Sequence, residues 1–268
     1  MRSPGTAAEP AAAELQALRA QLAERERALA AAHADAEDFA RMVAHDLRAP
    51  LRHVLAYGDV LREMVEAGED AGPALAQIGR SSRQLGDMLD AVVALVRLSR
   101  APLQHGLTDG ALLVDEARRA AETALPPADR ARHIDWQVAA DMPAVPGDAA
   151  QLREALAALL ANALKFTRPV ATPRIAIEGA ALPDGGVRLC VRDNGVGFAP
   201  AQAARLFQPF ARLHGARFEG LGAGLALVQQ IVRRHGGSVA AEGAADQGCT
   251  VWLTLPGSAA AASGTSRA

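Results

Sequence analysis

Lysine is nearly missing from this 268-residue chain: of its 28 Lys and Arg residues, Lys165 is the single lysine. Aromatic residues are scarce as well, with six Phe, two Trp and one Tyr. Half of the residues are nevertheless hydrophobic, so a core can form from small and aliphatic side chains, a composition that favours helices. Two cysteines, Cys190 and Cys249, are too few and too far apart for a disulfide framework or a metal-binding spacing. The most apolar stretch is interrupted by Asn162 and Lys165, well short of the ~20 residues that a bilayer requires. Residues Met1 to Glu9 lack the charged-then-apolar order of a secretion signal. A formal charge of -2 excludes a general nucleic-acid binder, which would carry a basic excess. These absences point to a soluble chain in a reducing, cytoplasmic setting, with no membrane segment and no nucleic acid.

What is present divides into two halves. After a Pro/Gly/Ala lead over residues 1–10, expected to be disordered, no Gly or Pro occurs between 11 and 41. Leu15, Leu18, Leu22, Leu29, Ala32, Ala36, Phe39 and Val43 recur near heptad spacing, with Arg25 interrupting the seam. A coiled-coil helix over 11–38 is expected, running on as helix to about Glu66. A turn over 66–72 precedes a second helix from about Pro73 to Arg100, striped by Leu75, Ile78, Leu85, Met88, Leu89, Val92, Leu95 and Val96. Two such helices cannot bury both stripes alone, whereas two copies forming a four-helix bundle can. After Arg100 the periodicity changes. Helices are predicted over 111–123, 148–166 and 223–235, and strands over 134–138, 174–179, 186–192, 238–242 and 249–255. The fold class is therefore α+β: a helical dimerisation segment, then an α/β sandwich. The tail 257–268 is of low complexity.

Four clusters carry chemistry. In FARMVAHDLRAPLR (39–52), His45 lies mid-helix beside Asp46, with Arg48 and Arg52 on its face and Pro50 removing a helical donor, so a bend is expected there. A neutral imidazole is a capable nucleophile towards phosphorus. In LREALAALLANALKFT (152–167), Asn162 and Lys165 share one helix face; a carboxamide oxygen suits Mg²⁺ and an ammonium suits a phosphate oxygen. A composition that uses arginine everywhere else suggests that a compact, flexible cation is needed at 165. In RDNGVGF (192–198), Asp193 at a strand end can accept from an exocyclic amine, and Gly195 and Gly197 allow close approach of a flat ring. In GLGAGLA (220–226), Gly220, Gly222 and Gly224 form a flexible strip that opens a helix, whose free donors attract phosphate.

Taken together and in this order over residues 38–256, the clusters resemble the sensor histidine kinases of two-component signalling, and FQPFARLHGARFEGLGAGLALVQQIVRRHGG looks most like kinase cores attached to phytochrome-like sensors. The resemblance implies a dimerisation and phosphotransfer domain over 39–102 and a Bergerat-type ATP-binding domain over 103–256. It makes His45 the phosphoacceptor and Asp46 the residue that orients and deprotonates it, with Arg48 alongside. It places Asn162 on Mg²⁺, Lys165 on a phosphate oxygen with Phe166 beside it, and Asp193 on adenine. Gly195 and Gly197 would shape the adenine pocket, while Gly220, Gly222, Gly224 and Leu225 belong to a lid over the phosphates. Arg212, ending the FxxFxR pattern of 207–212, matches a residue that reaches the γ-phosphate. The implied cofactors are ATP and Mg²⁺. The implied partners are a second copy of the chain, a response-regulator receiver domain, and an upstream sensor reached through the N-terminal coil.

Three positions depart from the family pattern: Ala158 where a second Asn or an acid is frequent, Leu221 where the lid has Thr, and Ala49 where Thr or Asn follows the acceptor. The last implies a kinase with weak phosphatase activity. The competing reading is a catalytically weak pseudokinase or phosphotransfer scaffold that dimerises and docks a receiver.

Overall fold

The computed structural model describes residues 8–257; the expected irregular ends at 1–7 and 258–268 lie outside the described residues. Helix α1 spans Ala8–Ala67 and α2 spans Gly72–Arg100. Residues 8–10, expected in the irregular lead, are helical, because Pro10 falls in the first turn, where its missing N–H has no helical partner to lose. The helix also continues through Pro50. The turn between the two helices is where Gly68 takes a positive φ of 70°.

The hairpin buries one seam and leaves another open. Ala74, Ser81, Met88 and Leu95 are buried at spacings of seven, the repeat of a coiled-coil position. Leu75, Leu89 and Val96 of the expected stripe stay exposed, as do Leu51, Leu55 and Val65 on α1. An isolated hairpin therefore keeps an apolar face in water, where a bundle would cover it.

The second half is a mixed five-stranded sheet in the order β2-β4-β5-β7-β6, formed by Asp135–Val138, Arg174–Ala181, Val187–Asp193, Cys249–Leu255 and Ser238–Gly243. The β2–β4 pair is parallel and the others antiparallel. Helices α3 (Gly110–Thr123), α4 (Ala149–Phe166) and α5 (Gly224–Arg234) pack with it around one core. Along α4, Leu152, Leu156, Leu160 and Leu164 repeat every fourth residue and are fully buried together with Ile175, Ile177, Leu189, Ile231, Leu253 and Leu255. Asp109 and Asp148 cap α3 and α4, each accepting from two backbone donors of the first turn.

A two-stranded ribbon, β1 (Gly106–Thr108) with β3 (Val145–Gly147), was not predicted. It sits where the hairpin meets the sheet domain. There Asp148 Oδ2 accepts from Gln104 N at 3.0 Å, and Arg234 donates to the carbonyl of Ala101 and, at 3.2 Å, to Gln151 Oε1. Buried His235 accepts from Asp148 N at 2.9 Å through Nε2 and donates from Nδ1 to Ile231 O at 2.7 Å, which fixes a neutral ring; burial correspondingly draws its pKa down. Among the described residues, no helix is long and apolar enough to cross a membrane.

Candidate nucleotide pocket and phosphoacceptor

A cavity of about 350 Å³ opens between α4, the end of β5 and the segment leading into α5. One helical turn brings Asn162, Lys165 and Phe166 to its wall, as their spacing requires. The sheet contributes Val191, Asp193, Cys249 and Val251; the loops contribute Phe198, Leu206 and Phe218; residues 219–225 form the rim. A largely apolar cleft with a few convergent polar groups suits a flat heteroaromatic ring carrying a charged tail.

Asp193 is the polar end of the apolar part. It stands between Ile175 and Cys249 in the sheet register, is buried, and accepts from Gly195 N at 2.8 Å and from the backbone of Cys249. Burial pushes its pKa up to about 6, against the lowering effect of those two donors. It therefore presents a carboxylate above that pH and a neutral acid below it. Cys249, beside it, has its thiol pushed up to about 12 by burial and by the Asp193 charge, and is inert as a nucleophile.

Glycine is required at two of the predicted positions. Gly197 has φ 58°, and a Cβ there would lie 1.9 Å from Ala244 O. Gly222 has φ 79°, and a Cβ would lie 2.5 Å from Ala211 O. Only a residue without a side chain lets these loops close on the cavity. The first turn of α5 has no side-chain cap, so its backbone donors are left for a ligand; Gly222, Ala223, Gly224 and Leu225 line the cavity there.

The Lys165 ammonium sits 4.5 Å from the centre of the Phe166 ring. Burial draws its pKa down, and Arg168 and Arg212 add to this while Glu219 opposes it. Gly220 passes close enough that a Cβ would stand 3.5 Å from Nζ. Arg212 lines the cavity, but its guanidinium is engaged by the loop itself, donating to Gly215 O at 2.5 Å and Phe218 O at 2.8 Å. Both bonds are made by Nη2. Phe166, His214 and Phe218 form a ring cluster with centroids 5.1–5.6 Å apart, which the sequence reading missed apart from Phe166. Phe166 is separated from the other two by more than forty residues in sequence, so no local pattern announces the cluster. Among the described residues no group of three or more His, Cys, Asp or Glu could hold a metal ion. The Asn162 oxygen fits Mg²⁺ only as one ligand of a shell completed by phosphate and water, and Ala158 offers no second.

His45 lies on α1, in the other domain. Its side chain is 81% exposed, and Nδ1 is 3.0 Å from Asp46 Oδ1. Neighbouring helical residues diverge by about 100°, yet their rotamers bring the pair together. Arg48 and Arg52 are exposed on the same helix.

Residues 147–259 match the family of histidine kinase-, DNA gyrase B- and HSP90-like ATPases, and residues 35–101 match the His kinase A (phospho-acceptor) domain. The chain is 32% identical over 249 residues to the methanogenesis regulatory histidine kinase FilI of Methanothrix harundinacea, a match covering 91% of this chain and 27% of that protein. It is 29% identical to the phytochrome-like protein Cph1 of Synechocystis, covering 88% of this chain and 31% of Cph1. The chain thus spans about a third of these relatives or less. Among solved structures, full-length ShkA in complex with AMPPNP is 28% identical, with a TM-score of 0.52, over 82% of this chain and 45% of that one.

Proposed function

Since the chain belongs to the sensor histidine kinases, carrying both of their core domains, we propose that it is an ATP-dependent, autophosphorylating kinase that passes the phosphoryl group from His45 to an aspartate of a separate response regulator. The observation that carries this reading is the His45–Asp46 pair, exposed on a helix and separate from a cavity that suits a nucleotide. An ionised Asp46 keeps the ring proton on Nδ1 and leaves the Nε2 lone pair free. Attack forms the Nε2–P bond while the γ-phosphorus separates from the β,γ-bridging oxygen, and ADP leaves with that electron pair. Asp46 offsets the positive charge that develops on the ring and takes the Nδ1 proton. Lys165 and the α5 donors hold the phosphates, Asp193 fixes the base, and Mg²⁺ when bound on Asn162 neutralises phosphate charge. Phosphoryl transfer of this kind depends on positioning more than on covalent help.

The test is incubation with γ-labelled ATP. The label is expected on protein and lost in acid, as a phosphoimidazole is; acid-stable label, or none, overturns the reading. The open apolar seam of the hairpin makes a homodimer the working unit, with exposed Leu18, Leu22 and Leu29 extending the contact towards an upstream sensor. Light scattering at micromolar concentration is expected to give the dimer mass, and a monomer alone would reject it.

Two substitutions follow from the site. Lys165→Arg keeps the charge but puts a planar, broader group where Gly220 and Phe166 leave room for an ammonium. Phosphorylation is expected to fall about tenfold or more, by loss of one charge-assisted contact; wild-type turnover would count the solitary lysine a coincidence. Ala49 lies one turn from His45, is exposed, and has no group to hold a hydrolytic water. The phosphatase activity is therefore weak. Ala49→Thr is expected to raise phosphate release from a phosphorylated regulator about tenfold, part of what a positioned donor contributes. Rapid release by a chain that keeps Ala49 and carries His45→Gln, which blocks back-transfer, would show this to be wrong.

A further inference from the structure

The rim of the cavity carries an anion of its own. Glu219 lines the opening, immediately before Gly220, whose backbone passes Lys165. Its carboxylate is gripped from outside the cavity by Arg168, at 2.5 Å from Nη1. Arg168 is in turn anchored by Asp129, 2.6 Å from Nη2, while its Nε is buried without a partner. Glu219 raises the Lys165 pKa, opposing burial, Arg168 and Arg212, which together still draw it down. The cationic end of the cavity thus has a negative charge at its rim. Two cations and one carboxylate form a set in which an incoming phosphate and Glu219 act on the same ammonium.

We propose that Glu219 is a built-in competitor for the nucleotide's phosphates, a rim carboxylate acting on the same Lys165 ammonium, which Arg168 holds at the rim and draws away when phosphate arrives. The inference rests on the nucleotide reading above and adds a residue that sets affinity by phosphate number. Adenosine, which carries no phosphate, does not meet the competitor. ADP meets it weakly and ATP most.

Removing either end of the Glu219–Arg168 pair breaks the same bond, but the consequences for charge are opposite. Glu219→Gln removes the competitor. Arg168→Gln releases Glu219 towards Lys165 and takes a cation from the neighbourhood. A merely structural clamp on the loop would shift both variants the same way. The experiment is calorimetric titration of the full chain and both variants with adenosine, ADP and ATP at low and moderate salt. Glu219→Gln is expected to bind ATP about two- to fivefold more tightly, the effect of an exposed charge, and Arg168→Gln to bind it more weakly by a similar factor. Both shifts should shrink with added salt, and adenosine should be unchanged in both. Shifts of the same sign, or equal for adenosine and ATP, overturn the inference. Failure of the unaltered chain to bind any of the three ligands overturns instead the nucleotide reading on which it rests.

Discussion

Replacing His45 by glutamine is expected to abolish autophosphorylation outright while leaving ATP affinity within about twofold. Glutamine keeps a polar side chain on an exposed helical position, so the hairpin has no reason to unfold: the ring it replaces is 81% exposed and, among the described residues, is paired with Asp46. What disappears is the imidazole lone pair that attacks phosphorus. A carboxamide nitrogen has its pair delocalised into the carbonyl, and its oxygen is a weak nucleophile. The nucleotide cavity is built entirely from residues 159–251 and does not include α1. The two readouts are acid-labile label from γ-labelled ATP and displacement of a fluorescent ATP analogue. Acid-labile label in the variant would mean that another of the seven histidines is the acceptor. His235 is a poor candidate, being buried with both ring nitrogens engaged. Loss of nucleotide affinity in the variant would contradict the separation of acceptor and pocket.

How far this arrangement was legible in the sequence depends on the range of the interaction. Helices were readable because an apolar stripe repeats within one segment: α3, α4 and α5 fall within about a residue of expectation, and the α1–α2 turn where two glycines and three acids suggested it. The strands of the main sheet were readable from short apolar alternation between turn residues. The ribbon of β1 and β3 was not, since three residues give no period and Gly106 and Pro146 are poor strand formers. Within the site, Asn162 and Lys165 were locked together by helical spacing, and Gly197 and Gly222 by the side-chain space they lack. The contacts that escaped notice are those closed by tertiary folding: Phe218 on Phe166, Glu219 on Arg168, and Asp148 beneath His235. Arg212 shows the converse. Its pattern marks it as a cation near phosphate, yet its Nη2 donates to two backbone carbonyls of the loop.

Asp193→Asn is expected to weaken ATP binding by roughly 1,000-fold and at the same time to make the free protein more stable. The wild-type carboxylate accepts from two backbone donors, Gly195 N at 2.8 Å and that of Cys249, and still has lone pairs to offer to an exocyclic amine in the cavity. An asparagine has one oxygen and one NH₂. If the oxygen stays on Gly195, the NH₂ must face either the Cys249 donor or the cavity, and a donor there meets the donor of the base. Loss of a charge-assisted hydrogen bond together with a buried unsatisfied donor accounts for a penalty of about 4 kcal/mol, or roughly 1,000-fold. The stability change has the opposite sign. Burial raises the folded-state pKa of Asp193 from 3.8 to about 6, so the folded chain binds a proton that the unfolded chain has already released. Folding stability therefore falls as pH rises from about 4 through 6, and above that the full cost of the buried charge is felt, up to about 3 kcal/mol for a shift of two units. Asparagine carries no charge to bury. Its melting temperature should exceed that of wild type at pH 8, and the gap should close by pH 4, where both side chains are neutral. Thermal melts at the two pH values, combined with ATP titration at pH 8, test both halves together. A variant less stable than wild type at pH 8 would mean that the two backbone hydrogen bonds outweigh desolvation. ATP binding at wild-type strength would mean that Asp193 does not face the base.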